Sequence, residues 1–117
     1  KTGEFEAGLA AVATDIKELE GHRSLRPDNQ RLAFSLASAR LTEGELYLAS
    51  NDVTMARQSF TTARSILEQS DLVLPMASRD ELARTIFFLG EEQRARDIAA
   101  ALVSSGYRHP EFSALFN

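Results

Sequence analysis

The chain has 117 residues, 44% of them hydrophobic, no cysteine, and 13 Lys and Arg against 17 Asp and Glu, for a formal charge of −4. That length suits one domain with its own core, and without cysteine there is neither a disulfide framework nor a cysteine zinc site. An acidic chain, with a pI near 5.2, lacks the concentrated basic surface that phosphate backbones demand, so nucleic acid is not an expected partner.

Lys1-Thr2-Gly3-Glu4 opens an amphipathic stretch rather than a signal peptide. No run of about 18 apolar residues follows anywhere, so no membrane insertion is expected. A first residue of Lys rather than Met is compatible with a segment excised from a larger protein. The expected location is cytoplasmic, with a periplasmic or membrane-tethered position through flanking sequence left open.

Phe5, Leu9, Val12, Ile16 and Leu19 recur at steps of three and four and predict a first helix from about Glu4 to Glu20. Gly21 and the polar run to Pro27-Asp28 are expected to end it. Asp28 or Asn29 caps a second helix reaching about Ser50, with Leu32, Leu36, Ala39, Leu46 and Tyr47 among its apolar positions. Asp52 caps a third, to about Gln69, whose Met55, Ala56, Phe60, Ala63 and Leu67 face inward. After a break at Asp71 to Pro75, Ser78-Arg79-Asp80-Glu81 has the spacing of a capping box and predicts a fourth helix to Leu89. Glu91 to about Ser105 is the fifth, stopped by Gly106, and Pro110 opens a short sixth containing Phe112, Leu115 and Phe116. No strand is predicted, which makes the chain all-α.

The centre of the pattern is Gly44 to Ala63. Gly44, Ala56 and Ala63 are small enough to let two helix backbones close on each other, Tyr47 and Phe60 fill the remaining space, and Asn51-Asp52 makes the turn. Adding 39 to these positions gives Ala83, Ile86, Ala95, Ala99 and Leu102, with Gly90-Glu91 at the turn. This spacing resembles the tetratricopeptide repeat, a helix-turn-helix unit of roughly 34 residues, over about residues 37–109, the extra length fitting an insertion at 71–75. Arg40 and Glu43 stand where that family prefers an aromatic residue and a leucine, Glu68 replaces its closing proline, and Ala99 a large residue.

The resemblance implies antiparallel hairpins stacked as a short right-handed solenoid of five helices plus a short C-terminal one, in a single domain. Residues 1–27 would be a packing or capping helix and loop, 28–70 the first hairpin, 71–75 the insertion, 76–109 the second hairpin and 110–117 the C-terminal cap. It also implies a protein-protein interaction scaffold or adaptor. The concave lining carried over from the family is Ser38, Leu41, Glu45, Leu48 and Ala49 with Ala77, Asp80, Arg84, Phe87 and Phe88, a mostly apolar surface for an amphipathic helix or peptide. Leu41, Glu45, Asp80 and Arg84 stand where some members clamp a terminal carboxylate with Lys and Asn, so no such clamp is implied. The first helix, through its Phe5 to Leu19 stripe, is an alternative occupant of that groove. The ending Ala99 to Phe112 is similar to the last hairpin of bacterial members attached to signalling, kinase or secretion domains.

Two other functions compete with the adaptor: a self-associating structural domain that forms a homodimer, and a regulatory segment of a larger enzyme or secretion protein. Arg57, Arg64, Arg79, Arg84, Arg94 and Arg96 are interleaved with Glu68, Asp80, Glu81, Glu91, Glu92 and Asp97, which predicts ion pairs along the helices rather than a grip on acidic partners. His22 and His109 fall in expected loops without a second ligand at metal spacing, the serines have no neighbouring base, and the glycines are scattered. No catalytic residue, cofactor or metal is therefore expected.

Overall fold

The computed structural model describes residues 2–69 and 74–116, and among them it has six α-helices and no strand. They are α1 (Thr2–Leu25), α2 (Gln30–Ala49), α3 (Val53–Leu67), α4 (Met76–Phe88), α5 (Glu92–Ser104) and α6 (Pro110–Phe116). Most of the break at 71–75 lies outside the described residues. The molecule measures 38 × 37 × 21 Å. Its short dimension equals about two helix diameters, so it is a slab two helices thick.

Local chemistry sets most helix ends. The Asn29 side chain accepts from the Leu32 N–H at 3.2 Å and that of Asp52 from the Met55 N–H at 3.2 Å, so each satisfies a first-turn donor. At the turn after α2, Asn51 takes a left-handed φ of +66°, and the Asp52 N–H reaches back to the Tyr47 oxygen at 2.8 Å. After α4, Gly90 takes a φ of +94°, and the Glu91 N–H reaches the Ile86 oxygen at 3.2 Å. Helix α5 closes in the same way, with Gly106 at a φ of +87° and the Tyr107 N–H reaching the Leu102 oxygen at 3.1 Å, so one stop geometry serves three helices.

Two expected boundaries change. Helix α1 runs through Gly21 to Leu25 and takes in His22. A glycine ends a helix only where it adopts positive φ; otherwise it merely costs about 1 kcal/mol against alanine. The helix stops two residues before Pro27, whose ring bars the α conformation at the preceding residue. Helix α4 begins at Met76 behind Pro75, which gives no side-chain cap. The capping box expected at Ser78 to Glu81 does not form, because these residues lie inside the helix and Glu81 accepts from Ser38 of α2 instead.

The main core gathers Ile16 of α1, Leu36 and Ala37 of α2, Ile66 and Leu67 of α3, Leu82 and Ile86 of α4 and Ala95 of α5. Helix α1 packs on α2 through the predicted stripe, with Val12 and Leu19 beside Ile16. Leu41, Ala56 and Phe60 form a second cluster with Tyr47 and Phe88, and Ala99, Leu102 and Phe112 a third with Tyr107 and Phe116. At the α2–α3 crossing an added Cβ on Gly44 would lie 2.4 to 2.9 Å from three Phe60 ring carbons. The backbone of α2 therefore rests directly on the Phe60 ring.

Candidate functional site

The ten residues carried over as the concave lining divide three ways, Ala77 being exposed on α4 and Ser38 half-buried on α2. Leu41 is 2% exposed inside the α2–α3 hairpin. Phe88 stacks on Phe60 at 4.9 Å between ring centroids, and Phe87 meets Phe116 edge-on at 5.6 Å, so α3 and α6 already take up the two rings. Leu48 and Ala49 are exposed near the end of α2. Glu45, Asp80 and Arg84 come together. Internal packing thus takes Leu41, Phe87 and Phe88 from the expected apolar lining, and the residues that come together there are polar.

Arg84 is the centre of that polar cluster. Its side chain is buried, with Nε donating to Asp80 Oδ1 at 2.8 Å and Nη1 to Glu111 Oε2 at 2.7 Å. Glu45 Oε2 approaches Nη1 at 3.6 Å. Asp80, also buried, accepts from the Tyr107 hydroxyl on its other oxygen, and His109 Nδ1 lies 4.0 Å from that oxygen. One helical turn from Arg84, Glu81 accepts from the Ser38 hydroxyl at 2.6 Å. Helices α2, α4 and α6 and the loop before α6 converge here.

The electrostatics are unbalanced. Asp80, Glu45, Glu81 and Glu111 face a single guanidinium. Burial pushes the Glu45 carboxyl above the usual carboxylate range; Arg84 opposes this, and the neighbouring carboxylates Glu111, Glu81 and Asp80 reinforce it. Burial likewise raises Glu81, against the Ser38 hydrogen bond and Arg84. For Arg84, burial disfavours the charged form, but Asp80, Glu45 and Glu111 outweigh it and leave the guanidinium more firmly protonated than usual. Burial and the bond to Asp80 push the Tyr107 hydroxyl up to about 12, so it stays a donor.

Glu111, Tyr107 and His109 were missed by sequence reasoning as parts of this site, and Glu81 was assigned to a cap. One sequence signal was available: Asp80 and Arg84 stand four apart on a helix. Of the other arginines expected in ion pairs, Arg64, Arg94 and Arg96 form them, partly between helices, and among the described residues Arg57 and Arg79 do not. Arg64 binds Glu68 at 2.7 Å and also Glu91, Arg94 binds Glu68 at 2.5 Å, and Arg96 lies 3.8 Å from Glu92. Among the described residues no group of three or more His, Asp or Glu side chains is placed to hold a metal ion, and no helix is long and apolar enough to cross a membrane. Comparison with protein-family models, curated proteins and solved structures gives no match for this chain.

Proposed function

We propose that the chain is a protein-interaction module, binding rather than catalytic, with α2–α3 and α4–α5 as two stacked hairpins in a tetratricopeptide-like right-handed arrangement. The burial of Ala83, Ala95, Ala99 and Leu102, each 39 residues after the buried Gly44, Ala56, Phe60 and Ala63, supports that arrangement. The partner is a helix or peptide carrying Lys or Arg, held on the face of α2, α4 and α6. A single observation carries this reading: Glu45 and Glu81 sit at that face beside an arginine whose hydrogen bonds go to Asp80 and Glu111. A partner cation at Glu45 or Glu81 would supply the opposite charge that their burial leaves wanting.

The test is binding of fluorescent helical peptides that share one apolar pattern and carry lysine, glutamine or glutamate at their polar positions. The lysine peptide should bind best, and less well at high salt. A triple Glu45→Gln, Glu81→Gln, Glu111→Gln variant of unchanged helicity should bind it on the order of tenfold more weakly. Equal affinity for the three peptides, or an unaffected triple variant, would remove the reading.

A further inference from the structure

A second surface, separate from the carboxylate face, has its complement on the same chain. Between α5 and α6 runs a groove of about 420 Å³, lined by Arg96, Ala99, Ala100, Val103, Ser104 and Phe116. Ala99, Ala100, Val103 and Phe116 make its apolar part, and Val103 is 40% exposed. Arg96 stands in the groove, and Arg108 lines a neighbouring hollow that shares Val103 with it. In the monomer Arg96 has a loose exposed contact with Glu92 at 3.8 Å, and the Arg108 guanidinium donates to the Tyr107 carbonyl at 2.7 Å.

Helix α1 carries a matching ridge. Glu4, Ala7, Ala11, Thr14 and Glu18 follow one another at steps of three, four, three and four, which sets them in one line, and all five are exposed. They lie opposite Val12, Ile16 and Leu19, which face the core. The Thr14 hydroxyl donates to the Ala10 carbonyl at 3.1 Å, so its methyl group is what the ridge can offer a neighbour. The ridge is therefore three small apolar side chains with a carboxylate at each end, and about 21 Å separates the two acids at the helical rise. Laid antiparallel to α5, it sets Glu18 toward Arg96 and Glu4 toward Arg108.

We propose that this groove receives α1 of a second copy of the chain. Ridge and groove are different surfaces, so the contact is heterologous and repeats head to tail. Charge complementarity selects this occupant: the groove is marked by arginine, and the ridge bears acid at both ends. Exposed charge pairs of this kind are screened by salt, so the assembly weakens as ionic strength rises.

Sedimentation equilibrium of the whole chain from micromolar to millimolar concentration tests this. The average mass should climb with concentration past that of a dimer, and fall back in high salt. Ala11→Glu blocks the ridge and Val103→Glu the groove. Each alone should be monomeric with unchanged circular dichroism, while their equimolar mixture should stop at a dimer, because one intact ridge meets one intact groove. Should Val103→Glu perturb the fold, charge reversal replaces it: Glu18→Arg and Arg96→Glu should each weaken association at least tenfold, and the chain carrying both should recover it. A wild type that stays monomeric at millimolar concentration, or association that Ala11→Glu leaves intact, would overturn the proposal. Neither result touches the peptide test of the carboxylate face.

Discussion

Gly44 and Phe60 show how one pair of residues sets the closeness of two helices. In an exposed helix interior, replacing glycine by alanine gains about 1 kcal/mol of helix propensity. At position 44 the added methyl would instead enter the Phe60 ring, with the nearest ring carbon at 2.4 Å. Overpacking of this kind costs about 1 to 3 kcal/mol, so Gly44→Ala should destabilise the protein by more than the propensity returns. Phe60→Leu shortens the side chain under Gly44. In the Phe60→Leu background Gly44→Ala should be much less damaging, and a double-mutant cycle by chemical denaturation would read a coupling of about 1 kcal/mol or more. Additive effects would mean that the two residues do not share the contact.

The same economy of space governs elements. Three helix stops, after α2, α4 and α5, take a left-handed residue, Asn51 at the first and glycine at the others, Gly90 and Gly106. A side chain with a Cβ in this region costs roughly 1 to 2 kcal/mol, less for asparagine. Gly90→Ala should therefore lower stability by about that amount, although no atom lies near its Cβ position. Asn51→Gly should be close to neutral, and the difference between the two midpoints in urea measures the asymmetry. Polar residues between helices also act at this scale. Arg40 bonds Glu43 at 3.0 Å and Glu20 at 3.1 Å, and Glu43 accepts from Ser59 at 2.8 Å, so two polar residues tie α1, α2 and α3 together. Glu68, just past the end of α3, bridges Arg64 of that helix to Arg94 of α5.

For the molecule as a whole, two sets of carboxylates give stability opposite slopes with pH. Glu45 and Glu81 have folded pKa values raised chiefly by burial. Their contribution is complete below the ordinary carboxylate value of about 4.5 and is lost as pH rises through the raised folded values. Burial also acts to raise Glu68, but its bonds and charge interactions with Arg64 and Arg94 win and lower it. Glu68 therefore stabilises above about 4.5 and loses that contribution as pH falls through its lowered folded value. Thermal unfolding between pH 3 and 8 should show Glu81→Gln more stable than wild type at pH 7, by less than about 1 kcal/mol, with the advantage gone at low pH. Glu68→Gln should behave in reverse, less stable at pH 7 and equal to wild type in acid. Parallel curves for the two variants would contradict the assigned directions.

The helix count, a cap at Asp28 or Asn29, the cap at Asp52, the stop at Gly106 and the start at Pro110 were legible in the chain, because each is an interaction within about one turn of backbone; the structure chose Asn29. The apolar stripe of α1 was legible for the same reason, since its period needs no knowledge of what covers it. The candidate site was not. Tyr107 lies 27 positions from Asp80, and Glu111 as far from Arg84, while Ser38 is 43 from Glu81. Neither period nor propensity encodes such pairings. The fates of Phe87 and Phe88 were equally hidden: a phenylalanine on a helix face reads the same whether solvent or another ring lies opposite. By itself the sequence determined which segments are helical and which side of α1 is apolar; only tertiary packing decided that rings expected in a groove lie against Phe60 and Phe116, and that a buried arginine gathers carboxylates from three helices.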